Sequence, residues 1–277
     1  MPPEVIAAAF VSALIHASWN ALVKAGEDRL ASTFLVGVGS ILFGLVMVAF
    51  TGPPPLHAWP YLLGSVIIHG CYWAALIRGY RLGDLSHVYT LSRGLAPLLV
   101  AVGASLTARE IPAPQEAAGI AFVSLGVISV GASPGAPWRT SLWALLIACL
   151  IGSYSLVDAL GARVSGDAPR YIAWMTFGFS APLTLFALLR RGPRAMWISV
   201  QPQWRIGLLA GVMSSAGFGI VIWAQTRAPI AQVTALRETS VVFAALIAWA
   251  LLKERLGPRR WIGALLVAAG AVTIALG

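Results

Sequence analysis

The stretch Thr90–Gly126, TLSRGLAPLLVAVGASLTAREIPAPQEAAGIAFVSLG, returns as Thr234–Gly270, TALRETSVVFAALIAWALLKERLGPRRWIGALLVAAG. A constant offset of 144 residues, without a gap, sets Thr90 on Thr234, Arg93 on Arg237, Arg109 on Lys253, Glu110 on Glu254, Pro114 on Pro258, Gly119 on Gly263 and Gly126 on Gly270. Chance is a poor explanation for seven matches of this kind, and a repeat of this length precedes any other reading of the fold. A looser match of Ser18-Trp19 with Ser153-Tyr154 extends the duplication to whole halves, 1–137 and 138–277.

Both copies lie in apolar surroundings. Of 277 residues 58% are hydrophobic and 10% charged, against roughly 25% charged in a soluble domain, too few to make a water-facing surface. The apolar runs are about 20 residues long, enough to cross a bilayer as helices. Ten are expected, at about 4–24, 31–51, 59–80, 84–107, 115–133, 140–161, 169–190, 204–226, 229–252 and 259–276, punctuated by breakers such as Gly52-Pro53-Pro54-Pro55, Gly192-Pro193 and Gly257-Pro258. No connection exceeds about 14 residues, too short for a soluble domain, so function must reside among the helices. Five spans per half is an odd number, and the second half therefore enters the membrane from the opposite side. The expected fold is an all-α integral membrane protein of two inverted five-helix repeats around a central cavity, a plan that secondary transporters use for alternating access. A duplicated scaffold without transport is the bland alternative.

The formal net charge of +9 does not point to nucleic acid. Nearly all Lys and Arg sit between the apolar runs, where their stems reach toward lipid headgroups. Cys71 and Cys149 lie inside apolar runs and behave as small hydrophobes. The first run, from about Val5 to Val23, is too long for a signal-peptide core and reads as a permanent span.

The ten spans, the duplicated unit and the run Leu252-Lys253-Glu254-Arg255-Leu256 with Trp261, Gly263 and Gly270, echoed by Ala108-Arg109-Glu110 with Gly119 and Gly126, resemble the EamA-type branch of the drug/metabolite transporter superfamily. The resemblance covers essentially the whole chain. It implies a cavity bounded by spans 3, 4, 8 and 9 with help from 1 and 6, and a substrate among amino acids, other metabolites, nucleotide sugars or drugs. Small four-helix relatives drive efflux with a carboxylate in the middle of span 1. Here that span carries His16, Trp19 and Asn20 instead, which argues against proton antiport by that route and favours facilitated diffusion.

Ionisable groups in hydrocarbon cost about 2.5–3.5 kcal/mol on insertion scales and are functional candidates by default. Arg93, Arg237 and Glu238 are the chief cases, as gate or substrate contacts or as structural charges. Arg237 and Glu238 are consecutive, pointing about 100° apart on a helix, so Glu238 needs another partner, and Arg93 is the candidate across the pseudo-two-fold. Asp158 is expected to reach the interface, and Glu110 and Glu254 to be junctions between helices. Aromatic and polar residues recur on the cavity helices: Trp19, Asn20, His69, Tyr72, Trp73, Tyr80, Tyr89, Tyr154 and Trp223. They suit stacking on an aromatic or large apolar ligand, though Trp and Tyr also serve as interface anchors, the role expected of Trp59, Tyr61, Trp138, Trp143, Trp197 and Trp204.

No Cys/His cluster has metal spacing, no catalytic set stands out, and no P-loop suggests ATP-driven pumping or another cofactor. The expectation is a monomeric exporter of amino acids, aromatic or large neutral ones first, in a bacterial inner membrane. Its rivals are multidrug or cation efflux and, from another class, a membrane enzyme or lipid-handling scaffold. Orientation stays open: the resemblance puts both termini in the cytoplasm, which leaves Arg109, Arg163, Arg170 and Arg227 there and most of the other cations opposite, against the positive-inside rule.

Overall fold

In hydrocarbon every backbone N–H and C=O must be bonded within the protein, so apolar runs of this length become helices. The computed structural model describes the backbone of residues 1–24, 28–82, 85–131, 135–250, 253 and 257–277, and their side chains except at 24, 80–82, 85 and 86. Seven helices come first: α1 (Pro3–Lys24), α2 (Arg29–Thr51), α3 (Trp59–Leu82), α4 (Leu85–Thr107), α5 (Pro114–Gly131), α6 (Trp138–Ser165) and α7 (Ala168–Arg191). Five follow: α8 (Pro193–Val200), α9 (Trp204–Gln225), α10 (Ile230–Arg237), α11 (Ser240–Ala250) and α12 (Pro258–Leu276). A 3-10 turn, Leu56–Ala58, leads into α3. Among the described residues ten stretches are long and apolar enough to cross a membrane, α10 and α11 together forming the ninth.

The boundaries match the breakers. Pro114, Pro193 and Pro258 stand at the first position of their helices, where the missing N–H would have had no partner anyway. The sixth span runs on to Ser165, four residues beyond its expected end. The eight residues of α8 are an addition: Met196 and Val200 are buried against Ala31, Leu35 and Ala187, while Trp197 faces outward.

The packing obeys the repeat. Equating each span with the one five later, α1 on α9 is answered by α3 on α6, α4 on α6 by α1 on α10 and α11, α2 on α9 by α3 on α7, and α4 on α5 by α11 on α12. Among the contacts on the axis itself are α2 with α7, α5 with α12 and α4 with α10. At the second of these a Cβ on Gly119 would stand 2.9 Å from the Gly270 oxygen, and one on Gly126 2.8 Å from the Gly263 oxygen. The offset of 144 carries one contact onto the other, so this is a self-complementary seam of small residues, the means by which membrane helices approach closely.

Backbone conformation repeats too. Arg109 (φ 57°) and Lys253 (φ 55°) are described residues outside glycine in the left-handed region, and they occupy equivalent positions. Glu254 and its neighbours Leu252, Arg255 and Leu256 lie outside the described residues. At the contact of α2 with α7, Asp28 caps α2 by accepting from the N–H groups of Leu30 (3.0 Å) and Ala31 (3.1 Å) and is gripped by both terminal nitrogens of Arg191 at the end of α7. The Arg191 guanidinium holds the Asp28 carboxyl below its usual range against the opposing effect of partial burial. The contribution of this tie is present at neutral pH and lost as pH falls through that lowered value.

Candidate functional site

Where the halves meet, α4 and the ninth span bring their charges together. Arg93 donates from Nη2 to Glu238 Oε1 at 2.6 Å and from Nε to Oε2 at 3.2 Å, a two-bond fork between side chains only 8% and 3% exposed. The 100° argument is thus met by a partner on the opposite repeat. Glu238 also sits where the ninth span changes its winding. The N–H groups of Glu238, Thr239, Val241 and Val242 bond to oxygens three residues back, at Ala235, Leu236, Glu238 and Thr239, a tightened stretch of the kind found at hinges.

Arg237 fares differently. It makes no ion pair or hydrogen bond among the described residues, its Nε is buried without a partner, and its guanidinium lies over the Phe218 ring at 5.2 Å. Symmetry explains the difference. The repeat position of Glu238 is Gly94, so the mate of the Arg93–Glu238 pair lacks its carboxylate. There is no room for one either, since a Cβ at Gly94 would meet Ile128 Cγ1 at 2.5 Å and the Ser124 oxygen at 2.9 Å.

Beside these charges lies an aromatic group centred on His69. Its ring is sandwiched between Tyr154 (4.2 Å) and Phe179 (4.6 Å), with Phe218 edge-on at 6.1 Å. Tyr72 meets Tyr154 edge-on at 5.6 Å and Trp73 at 5.4 Å. His69 Nδ1 is 2.9 Å from the Ser65 oxygen, a bond within α3 rather than between helices. Tyr89 lies within electrostatic reach of both arginines, and Tyr72 and Tyr154 within that of Arg93. Of the sequence-derived candidates, His69, Tyr72, Trp73, Tyr89, Tyr154, Arg93, Arg237 and Glu238 therefore gather in one interior.

The others are placed differently. Trp19 packs edge-on against His16 at 5.4 Å on α1, and the Asn20 side chain donates to the His16 oxygen of its own helix at 2.7 Å; His16 itself lies within electrostatic reach of Arg93 and Arg237, so this pair borders the charged group from α1. Trp223 packs among Val5, Val221 and Ala224 with the Arg227 guanidinium 4.6 Å over its ring, and also on the core of Tyr171, Ile172 and Ile222 against which Phe179 and Phe218 pack. The Tyr80 side chain lies outside the described residues. Phe179 and Phe218 were not among the candidates, because a phenylalanine in an apolar run carries no signal of its own.

Two acidic residues also differ from expectation. Asp158 does not reach an interface: it is wholly buried, accepts from Tyr171 Oη at 3.2 Å, and keeps Oδ2 without a partner. The longer sixth span explains this, since Asp158 lies about two turns inside its end. Glu110 is a junction, as expected, of wide reach. Its Oε1 takes Arg163 Nη1 at 2.5 Å and its Oε2 accepts from the N–H of Ile230 at 2.7 Å, while Arg163 donates to the oxygens of Gln225 (2.8 Å) and Ala228 (2.9 Å). This clasp ties the ends of α4, α6 and α9 to the start of α10, on the face that holds both termini.

The presumed interface set divides as well. Trp138, Trp197 and Trp204 are exposed, two of them beneath Arg139 and Arg205, whereas Trp59, Tyr61 and Trp143 pack partly buried on the core. Among the described residues no group of three His, Cys, Asp or Glu side chains is placed to hold a metal.

Comparison with solved structures gives the same architecture. One, titled "Crystal structure of protein", superposes with a TM-score of 0.75 at 17% identity, covering 100% of this chain and 98% of its own; at that identity the likeness is one of fold. No curated protein matches. The profile of the EamA-like transporter family matches twice, at residues 4–132 and 138–276. With ten membrane-length helices, an internal duplication and both repeats matched, the chain belongs to the EamA-like transporter family, membrane transporters of the drug/metabolite type.

Proposed function

We propose that this transporter is a secondary carrier that exports amino acids, aromatic or large neutral ones first, by alternating access. It works as a monomer in a bacterial inner membrane, without ATP and without a strict need for a pH gradient. The observation that carries this reading is the His69 sandwich with Tyr154 and Phe179, set beside the Arg93–Glu238 pair where the two halves meet. Rings of this kind stack on a ligand ring with about 0.5–1.5 kcal/mol beyond burial, and charges beside them orient a polar end.

The test is counterflow in proteoliposomes with a panel of amino acids. Tyr72→Ala and Tyr89→Ala should slow aromatic substrates more than small ones, about three- to tenfold for the loss of one stacking contact. Trp59→Ala and Trp197→Ala should change expression or melting instead. Equal losses across all substrates would make the tyrosines mere helix spacers, and uptake strictly dependent on a proton gradient would refute the uncoupled part of the reading. A second reading, efflux of cations, rests on the Asp158 oxygen that lacks a partner. It requires Asp158→Asn to abolish transport of a lipophilic cation.

A further inference from the structure

A guanidinium carries five N–H donors and stays charged at any pH a cell meets. Leaving one inside a membrane without an acceptor costs several kcal/mol, so such groups are found where a partner arrives. Arg237 is close to this state: no carboxylate, carbonyl or hydroxyl of the described residues accepts from it, its Nε is buried although the residue as a whole is partly exposed, and its guanidinium lies over the face of Phe218 at 5.2 Å. The nearest carboxylate, Glu238, has both oxygens held by Arg93. His16, the other polar group within electrostatic reach on α1, is a histidine rather than an acid. The duplication supplies Arg237 with a counterpart of Arg93's environment except for the one acidic side chain, replaced by Gly94.

We infer that a carboxylate on the substrate supplies the acceptor that Arg237 lacks, with Arg237 as its recognition point. The Phe218 ring lies under the guanidinium and is itself edge-on to Tyr154 at 6.0 Å and Phe179 at 6.2 Å, so a carboxylate on Arg237 projects the body attached to it toward the aromatic group. The substrate class is then organic carboxylates with an aromatic or large apolar body. The ammonium group of an amino acid is dispensable, because Glu238, the acidic residue beside Arg237, is already engaged by Arg93. Cations are disfavoured at this point, since the charge of Arg237 is not balanced by Glu238. This assignment rests on the transport reading and narrows it.

Three compounds sharing one ring separate the possibilities: 3-phenylpropionate (anion), phenylalanine (zwitterion) and phenethylamine (cation). Each is tested for its shift of the melting temperature in detergent and as competitor of labelled phenylalanine counterflow in proteoliposomes. Both acids should raise the melting temperature and compete with similar strength, and the amine should do neither. Arg237→Met should weaken both acids at least about tenfold, the scale of a lost charge-assisted bond, and Arg237→Lys, which keeps the charge but not the fork, less. Phenethylamine acting as well as the acids would overturn the assignment, as would Arg237→Met binding within twofold of the parent protein. Should Arg237→Met fail to fold, the three-compound comparison in the unaltered protein decides alone. Acid binding in detergent without any counterflow would sink the transport reading and keep Arg237 as a carboxylate site. Counterflow indifferent to ligand charge would do the reverse, and no response of any kind would overturn both.

Discussion

Arg93→Met is expected to lower the stability of the protein in detergent by about 3–5 kcal/mol, because it strands the Glu238 carboxylate in a dry interior. Glu238→Gln should be similarly damaging, since it leaves the Arg93 guanidinium without its fork of 2.6 and 3.2 Å. Arg237 offers no substitute, being adjacent in sequence and turned about 100° away. The double variant removes both charges at once and should recover much of the loss, because a buried pair is often worth little net against apolar replacements of similar size. The measurement is a double-mutant cycle scored by melting and by transport separately. Additive stability losses would rule out the coupling. Recovered stability with transport still abolished would show that the pair takes part in the transport cycle rather than only in holding the halves together.

The second large effect is expected at the seam of α5 and α12. A Cβ at Gly126 would stand 2.8 Å from both the Gly263 oxygen and the Val267 nitrogen, and one at Gly263 2.7 Å from the Gly126 oxygen. These are backbone atoms of the facing helix, so no side chain can swing aside. Gly126→Val should therefore force the halves apart and cost about 1–3 kcal/mol or more, the range for overpacking. Gly126→Ala should show a smaller loss in the same direction. Gly70, on α3, has open space around its Cβ position, and Gly70→Ala should be neutral or stabilising by about 0.5–1 kcal/mol through helix propensity. Monodispersity and melting of the purified variants decide the matter. Equal behaviour of Gly126→Ala and Gly70→Ala would mean that the seam does not hold the dimer-like core.

The spans were legible because hydropathy and length suffice for them, and the inversion followed from an odd count. The Arg93–Glu238 pair was legible as well, from the angular separation of Arg237 and Glu238 and the repeat offset. What escaped has physical reasons. The helix α8 is eight residues long, too short for a pattern to rise above its surroundings. The tightened winding at Glu238–Val242 arises from hydrogen bonds moving by one residue, which leaves no mark in composition. Asp158 was placed too near an interface because Val164 and Ser165 at the end of its helix are flanked by Arg163 and Gly166, which read as a loop.

The solitary guanidinium of Arg237 also ties the carrier to the electric field across its membrane. A potential of 100 mV does about 2.3 kcal/mol of work on one elementary charge moved through the whole field. An empty carrier with one uncompensated positive charge feels some part of this as it reorients, whereas a carrier neutralised by a bound monoanion such as 3-phenylpropionate does not. Exchange of that anion for itself should thus be indifferent to voltage, while its net uptake, which includes the empty return, should run faster under one polarity of an imposed potassium diffusion potential than under the other. In Arg237→Met the field-sensitive step should pass from the empty to the loaded carrier, which then bears the anion's charge, so that exchange itself becomes responsive to voltage.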